Sequence, residues 1–125
     1  MTVKEAVEKT DELYPNVFSF SQKVFLLEQL DGKVFYEFLR NYEGSPEEFS
    51  GDYIYHTDKT LLIPRPYEDI YIKYLVMQFD ILGSDITRYQ NTSALFNKEY
   101  LDFICAYNRS HVIKSAKINV SGVCI

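Results

Sequence analysis

Residues 86–109, ITRYQNTSALFNKEYLDFICAYNR, carry the strongest periodic pattern of the chain. Seven of their side chains recur at alternating steps of three and four residues: Ile86, Tyr89, Ser93, Phe96, Tyr100, Phe103 and Tyr107. Because an α-helix turns once in about 3.6 residues, this spacing places the seven on one side of a single long helix. Such an aromatic row is either a stacking platform for a ligand or a nucleic acid, or one side of a helical core.

The charges around the row favour the core. A stacking platform for nucleic acid needs basic residues interleaved on the same face, whereas this helix offers Arg88 and Lys98 against Glu99 and Asp102. The chain as a whole has a net charge of −5, and nucleic-acid-binding domains take most of their sequence-independent affinity from a basic surface. We therefore interpret the row as helical core and subunit contact.

The same reasoning applied to the rest of the chain predicts an all-α small domain of four to five helices. Capping residues, first-turn acids and helix breakers bound each helix. The predicted ranges are 3–13, 19 or 21 to 42, 66–82 and 86–109. Gly32 lies inside the second helix, where it costs about 1 kcal/mol relative to Ala and marks a place for a bend. The third helix is apolar on most sides, which is typical of a central helix.

Between the second and third helices, residues 43–65 lose the helical period and form a long loop. The β-prone pieces 52–56 and 60–63 predict either a loose hairpin or an irregular connection. A loop of this length is unusual in a compact domain unless it has a use. It is therefore the strongest candidate for a functional segment in the body of the chain.

After His111 the pattern becomes extended, and residues 112–125 are rich in β-branched side chains. From Arg109 onward there are three basic residues and no acid, while the first 108 residues hold ten basic against eighteen acidic residues, a net charge of −8. We divide the chain into a helical domain, 1–111, and an extended C-terminal arm, 112–125, which suits a partner surface and could join it by strand addition. The two cysteines, Cys105 and Cys124, are expected to be reduced thiols of an intracellular chain.

No catalytic, cofactor or metal site is predicted. His56 and Asp58 lack the spacing of helical metal ligands, and the acids Glu47, Glu48 and Asp52 lack the apolar surroundings that would separate their pKa values for acid–base catalysis. The sequence holds no Gly-rich phosphate loop and no nucleophile elbow. We expect a protein that is not an enzyme and has no cofactor.

Several segments match sequence motifs that are more specific than a helical period. The segments are DELYPNVFS (11–19), LLEQLDGKVFYE (26–37) and, at single positions, Leu62, Ile63, Pro64, Pro66, Tyr67, Tyr71, Tyr74, Tyr89, Asn91, Ala94, Leu95, Phe96, Asn97, Tyr100, Tyr107, Arg109 and His111. Through these motifs, residues 1–111 resemble the head-to-tail connector (adaptor) proteins of tailed bacteriophages and prophages of Gram-positive bacteria. Ala-Leu-Phe-Asn at 94–97 is its most specific part, and the arm after His111 departs from the family pattern.

The resemblance implies a mostly α-helical structural protein of the virion neck, assembled in the host bacterial cytoplasm. Such proteins form a ring of about a dozen copies beneath the portal. The expected partners are other copies of the chain, the portal protein and a tail-side neck or stopper protein. DNA passes through the channel without specific binding, and no membrane is involved. The alternative from a different class is a small cytosolic α-helical regulatory or protein-binding module.

Within that reading, the loop and the arm supply the residues expected to contact other subunits. The interface candidates are Phe49, Tyr53, Tyr55, His56, Leu62, Arg65, Lys114, Lys117, Ile118 and Val120. The acids Glu47, Glu48 and Asp52 are the candidates for the channel surface, where negative charge would let DNA slide instead of stick.

Overall fold

The computed structural model describes residues 1–42, 46 and 48–110. Over these residues the fold is all-α, as predicted, and about two thirds of them lie in helices. The elements are α1 (Val3–Leu13), α2 (Phe20–Glu37), a short 3-10 helix (Leu39–Asn41), α3 (Asp69–Leu82) and α4 (Ile86–Ser110). The described residues contain no strand, and an isolated antiparallel bridge joins Thr2 to Thr60.

Reciprocal capping boxes open the first two helices. The Thr2 hydroxyl accepts from the Glu5 amide while the Glu5 carboxylate accepts from the Thr2 amide, each at 3.2 Å. Ser19 and Gln22 form the same arrangement at the start of α2. Each box satisfies amides that a helix N-terminus leaves without intrahelical partners. The predicted range of α1 is confirmed, and Ser19, not Ser21, is the cap of α2.

Two predicted helix limits are wrong. The α-helical part of the second helix ends at Glu37, because Phe38 leaves the helical region (φ −135°, ψ −67°) and the chain tightens into the 3-10 helix before Tyr42. The third helix begins at Asp69 and not at Pro66, because the Tyr67 amide first closes a turn on the Pro64 carbonyl at 3.0 Å. Through Gly32, by contrast, α2 continues without interruption.

Helix α3 lies at the centre, as predicted, and packs against α1, α2 and α4. The aromatic row of α4 faces it: Phe96 and Phe103 are buried, and Tyr89, Tyr100 and Tyr107 are half-buried. Near the end of α4, Phe38, Tyr42, Phe103 and Tyr107 meet in edge-to-face and tilted pairs with ring centroids 4.8–6.0 Å apart. The row is therefore core over most of its length.

Polar contacts fix the helices to one another. Lys23 of α2 is buried and donates to Asp11 of α1 at 2.6 Å. Between α3 and α4, Lys73 pairs with Glu99, and the Thr92 hydroxyl donates to the buried Asp80 carboxylate at 3.1 Å. Cys105 of α4 is disulfide-bonded, so the expectation of reduced thiols is wrong for this residue.

Candidate functional site

A buried carboxylate of α2 anchors the long loop. Asp31 has no exposed surface and accepts three hydrogen bonds: from the hydroxyls of Tyr53 and Tyr71, each at 2.5 Å, and from the Leu62 amide at 3.1 Å. The Tyr71 hydroxyl in turn accepts from the Ile63 amide at 2.7 Å. One side chain of α2 thus fixes the loop at two points and joins it to α3.

Burial controls the protonation of this network. Desolvation raises the pKa of Asp31 above its ordinary value of 3.8, although its three hydrogen bonds oppose the change. Burial, together with the negative charge of Asp31, also raises the pKa of both Tyr53 and Tyr71 above 10. Both phenols therefore remain protonated donors at neutral pH. The arrangement has the chemistry of a structural clamp.

The loop is also held to the side of α2 and to the start of α1. Glu28 of α2 accepts from the Tyr53 amide at 2.9 Å, and the Phe49 ring lies 6.0 Å from Phe35 and 5.8 Å from Tyr53. The carbonyls of Thr57 and Lys59 accept from the first amides of α1 at 2.8 and 3.0 Å. The described part of the loop thus consists of turns folded onto two helices, and it contains no β-hairpin.

The structure separates the predicted interface residues by exposure. Tyr55 is 80% exposed and projects from the loop beside Ile54, while His56 and Arg65 are also exposed. Phe49 and Leu62 are half-buried against the core. Tyr53 is fully buried, so as an interface candidate it is corrected here: its ring packs inside the subunit and its hydroxyl is bound to Asp31.

Of the predicted channel-facing acids, Glu48 and Asp52 lie on the surface of the loop. Asp52 has a positive φ of 62°, a left-handed conformation that turns the chain toward Tyr53. Five predicted residues lie outside the described part of the chain: Glu47, Lys114, Lys117, Ile118 and Val120. The predicted arm, 112–125, lies outside it as a whole.

Two concave sites flank the loop and the helices. The first, which we name the interhelical groove, has a volume of about 480 Å³ and is lined by Leu30, Lys33, Glu37, Tyr74, Met77, Gln78, Tyr89, Ser93, Phe96, Asn97 and Tyr100. The second, the loop cavity, has a volume of about 320 Å³ and is lined by Phe35, Leu39, Pro46, Glu48, Phe49, Ser50, Lys59, Leu62 and Tyr107. The groove is mixed in polarity, whereas most of the cavity wall is apolar.

The surroundings of the interhelical groove shift the pKa of the Tyr100 hydroxyl. Burial, and next the charge of Glu37, raise the pKa of Tyr100 to about 12. The hydroxyl is therefore neutral over the physiological range and acts as a hydrogen-bonding group instead of an acid. A neutral hydroxyl of this kind suits recognition by hydrogen bonding.

Sequence reasoning missed a cluster of exposed apolar side chains at one end of the molecule. Stacking of Phe18 on Phe79, with centroids 4.9 Å apart, brings the α1–α2 connection against the end of α3, next to the α3–α4 turn. Val17 is 98% exposed there. We name this region the turn end; its exposed apolar residues are Val17 and Phe20, on either side of Phe18, and Ile81, Leu82 and Ile86, on either side of the α3–α4 turn. The sequence signal that could have revealed this region is the presence of apolar residues in the connections between helices, where polar residues are usual.

Over residues 1–42, 46 and 48–110, no group of three or more His, Cys, Asp or Glu side chains is placed to hold a metal ion. None of the helices in this part of the chain is long and apolar enough to cross a membrane. Comparison of the chain with protein-family models, with curated proteins and with solved structures finds no significant match.

Proposed function

We propose that this chain is a subunit of the ring that joins the head and tail of a bacteriophage, with its function carried by protein interfaces. The observation that carries the proposal is the presence of two unlike exposed apolar regions. The loop, with Ile54 and Tyr55 at its surface, bonds to the first residues of α1, whereas the turn end includes the connection that follows α1. Rings are built from heterologous contacts, in which one patch of a subunit meets a different patch of the next.

The type of ring in this proposal, a head-to-tail connector, is inferred from the sequence resemblance over residues 1–111. In this proposal the loop and the arm contact neighbouring subunits, the portal or the tail-side protein. The loop acids Glu47, Glu48 and Asp52 face the DNA channel, where their repulsion keeps the genome mobile. The chain performs no catalysis and needs no cofactor. A ring reconstruction with Glu48 and Asp52 on its outer surface would contradict the assignment of these acids.

Mass measurement in solution, with and without the portal protein, tests the proposal. We expect a ring of about a dozen copies, or recruitment of the chain to the portal. Tyr55→Ser should weaken this association, because an exposed aromatic residue is a typical interface anchor. The matched control is Leu101→Ser, which changes an exposed apolar residue of α4 outside both regions.

The same measurement distinguishes the ring subunit from the alternative, a regulatory or protein-binding module. A chain that stays monomeric with the portal and binds a host factor instead would favour the regulatory or protein-binding module. A monomer without the portal does not decide the matter, since connector subunits can assemble only on their partner and their association depends on concentration.

A further inference from the structure

The loop cavity is an apolar site without a described occupant. Its walls come from the loop, from the end of α2 with the following 3-10 helix, and from the last turns of α4. Phe35, Leu39, Phe49, Leu62 and Tyr107 are its large apolar lining residues. Its volume of about 320 Å³ falls at the lower end of the range of pockets that receive a ligand or a few side chains.

The chain itself brings an apolar segment to this cavity. Tyr107 lines the cavity, α4 ends three residues later at Ser110, and residues 111–125 follow. Fifteen extended residues reach as far as about 50 Å, so the cavity lies well within their range. The segment carries six apolar β-branched side chains: Val112, Ile113, Ile118, Val120, Val123 and Ile125.

Charge at the rim of the cavity favours the same occupant. The Lys59 ammonium already donates to the Ser50 carbonyl at 2.6 Å and lies 5.5 Å from the centroid of the Tyr53 ring. The exposed Glu48 carboxylate is the negative group of the lining. Residues 111–125 contain Lys114 and Lys117 and no acid. Opposite charges across a contact fix its register and disfavour other partners.

Covalent attachment favours the segment of the same chain over that of another. A tethered segment meets a nearby site at an effective concentration of the order of millimolar. Cys105, two residues before Tyr107, is disulfide-bonded, and the second cysteine of the sequence, Cys124, belongs to this segment. A bond between the two would return the end of the segment to α4.

We propose that residues 112–125 fold back on their own subunit and place apolar side chains in the loop cavity, with a lysine beside Glu48. The contact covers apolar surface in the unassembled subunit. Its consequence rests on the proposed function: an arm held on its own subunit must be released before it can contact a neighbour in the ring.

Photo-crosslinking of the full-length protein tests this contact. We replace Ile113 by p-benzoylphenylalanine, irradiate without the portal protein, and map the products by mass spectrometry. The expected products join residue 113 to peptides that contain Leu39, Phe49 or Leu62. A mixture of ¹⁵N-labelled and unlabelled protein should give products within one isotopic population. The same probe in place of Val17, at the turn end, should give no product with the cavity.

Matched variants identify the determinants of the crosslink. Leu62→Glu places a charge in the cavity wall and should lower the crosslink yield roughly tenfold, while Leu101→Glu, on exposed α4 surface, should leave it unchanged. Glu48→Lys, which reverses the rim charge, should also lower the yield. Circular dichroism of each variant checks that it is folded, so a lost crosslink is read only from a helical protein.

Three results would overturn the inference: products confined to the interhelical groove or the turn end, no product with the cavity, or products that mainly join labelled to unlabelled chains. The last would assign the segment to a second copy. Because the experiment uses the isolated subunit, its failure leaves the ring proposal standing. Conversely, a chain that never assembles on the portal would still show the crosslink if the inference is right.

Discussion

Asp31 carries more of the loop's organisation than any other described side chain. Asp31→Ala removes the acceptor of the Tyr53 and Tyr71 hydroxyls and of the Leu62 amide. Because buried donors without acceptors are costly, we expect the free energy of unfolding to fall by about 3 kcal/mol. Urea denaturation measures it. Asp58→Ala, in the exposed part of the same loop, should change stability by about 0.5 kcal/mol or less, and equal losses would contradict the anchor.

The raised pKa of Asp31 also makes the free energy of unfolding depend on pH. The native state binds this proton more tightly than the unfolded chain does, so the contribution is complete below the ordinary pKa of 3.8 and is lost as pH rises through the folded pKa. Asp31→Asn has no such titration. We expect the stability gap between wild type and Asp31→Asn to shrink as the pH rises above the ordinary pKa of 3.8. Denaturation curves at increasing pH measure the gap, and a gap that widens would contradict the direction of the shift.

The anchor was beyond sequence reasoning for a definite reason. Asp31 stands 22 residues from Tyr53 and 40 from Tyr71, and a single acid in an amphipathic helix ordinarily faces water. Tyr53 was assigned to an interface because a tyrosine in a long loop is common there. Only the folded arrangement shows that its hydroxyl points inward.

Helix limits marked by a capping box were easier to predict than limits without one. The capping boxes at Thr2 and Ser19 are local signals that lie within four residues; they predicted the start of α1 and one of the two alternatives for the start of α2. The end of α2 has no such signal: Phe38, Leu39 and Tyr42 are buried in the altered path just as a continued helix would bury them. Periodicity therefore predicted the right core residues with the wrong helical limit.

Gly32 gives a prediction about α2. A methyl group there would lie 3.5 Å from the Phe49 ring, an ordinary van der Waals contact. Gly32→Ala should therefore raise the free energy of unfolding by about 0.5 to 1 kcal/mol, through helix propensity and a less flexible unfolded chain. Thermal denaturation measures the change. In Gly51→Ala the new carbon meets the Glu28 carboxylate at 3.1 Å, so no comparable gain is expected, and a gain at both sites would contradict this account.

Some of the candidate functional regions could be predicted from the sequence, and others depend on the tertiary structure. The loop and the arm could be chosen from the sequence because they break a periodic pattern. The turn end and the two concave sites could not be chosen in this way. They arise where Phe18 stacks on Phe79, where α2, α3 and α4 converge, and where the loop meets α2 and α4. Side chains far apart in sequence form each of them.

Removal of residues 112–125 tests the division of the chain. All described helices end by Ser110, so we expect the truncated chain to keep its helical circular dichroism. We also expect it to fail in joining heads to tails, because the arm is proposed to reach a partner. Spectroscopy and particle assembly measure the two effects separately. Loss of the helical signal would show that the arm belongs to the folding unit.

The bonds between the loop and α1 have a consequence for hydrogen exchange. The amides of Val3 and Lys4 donate to the carbonyls of Lys59 and Thr57, and the Leu61 amide donates to the Met1 carbonyl. These partners are more than fifty residues apart in sequence. When the loop opens, the first turn of α1 loses its acceptors at the same moment. The beginning of the chain and the middle of the loop thus form one cooperative unit, whose amides exchange with solvent together.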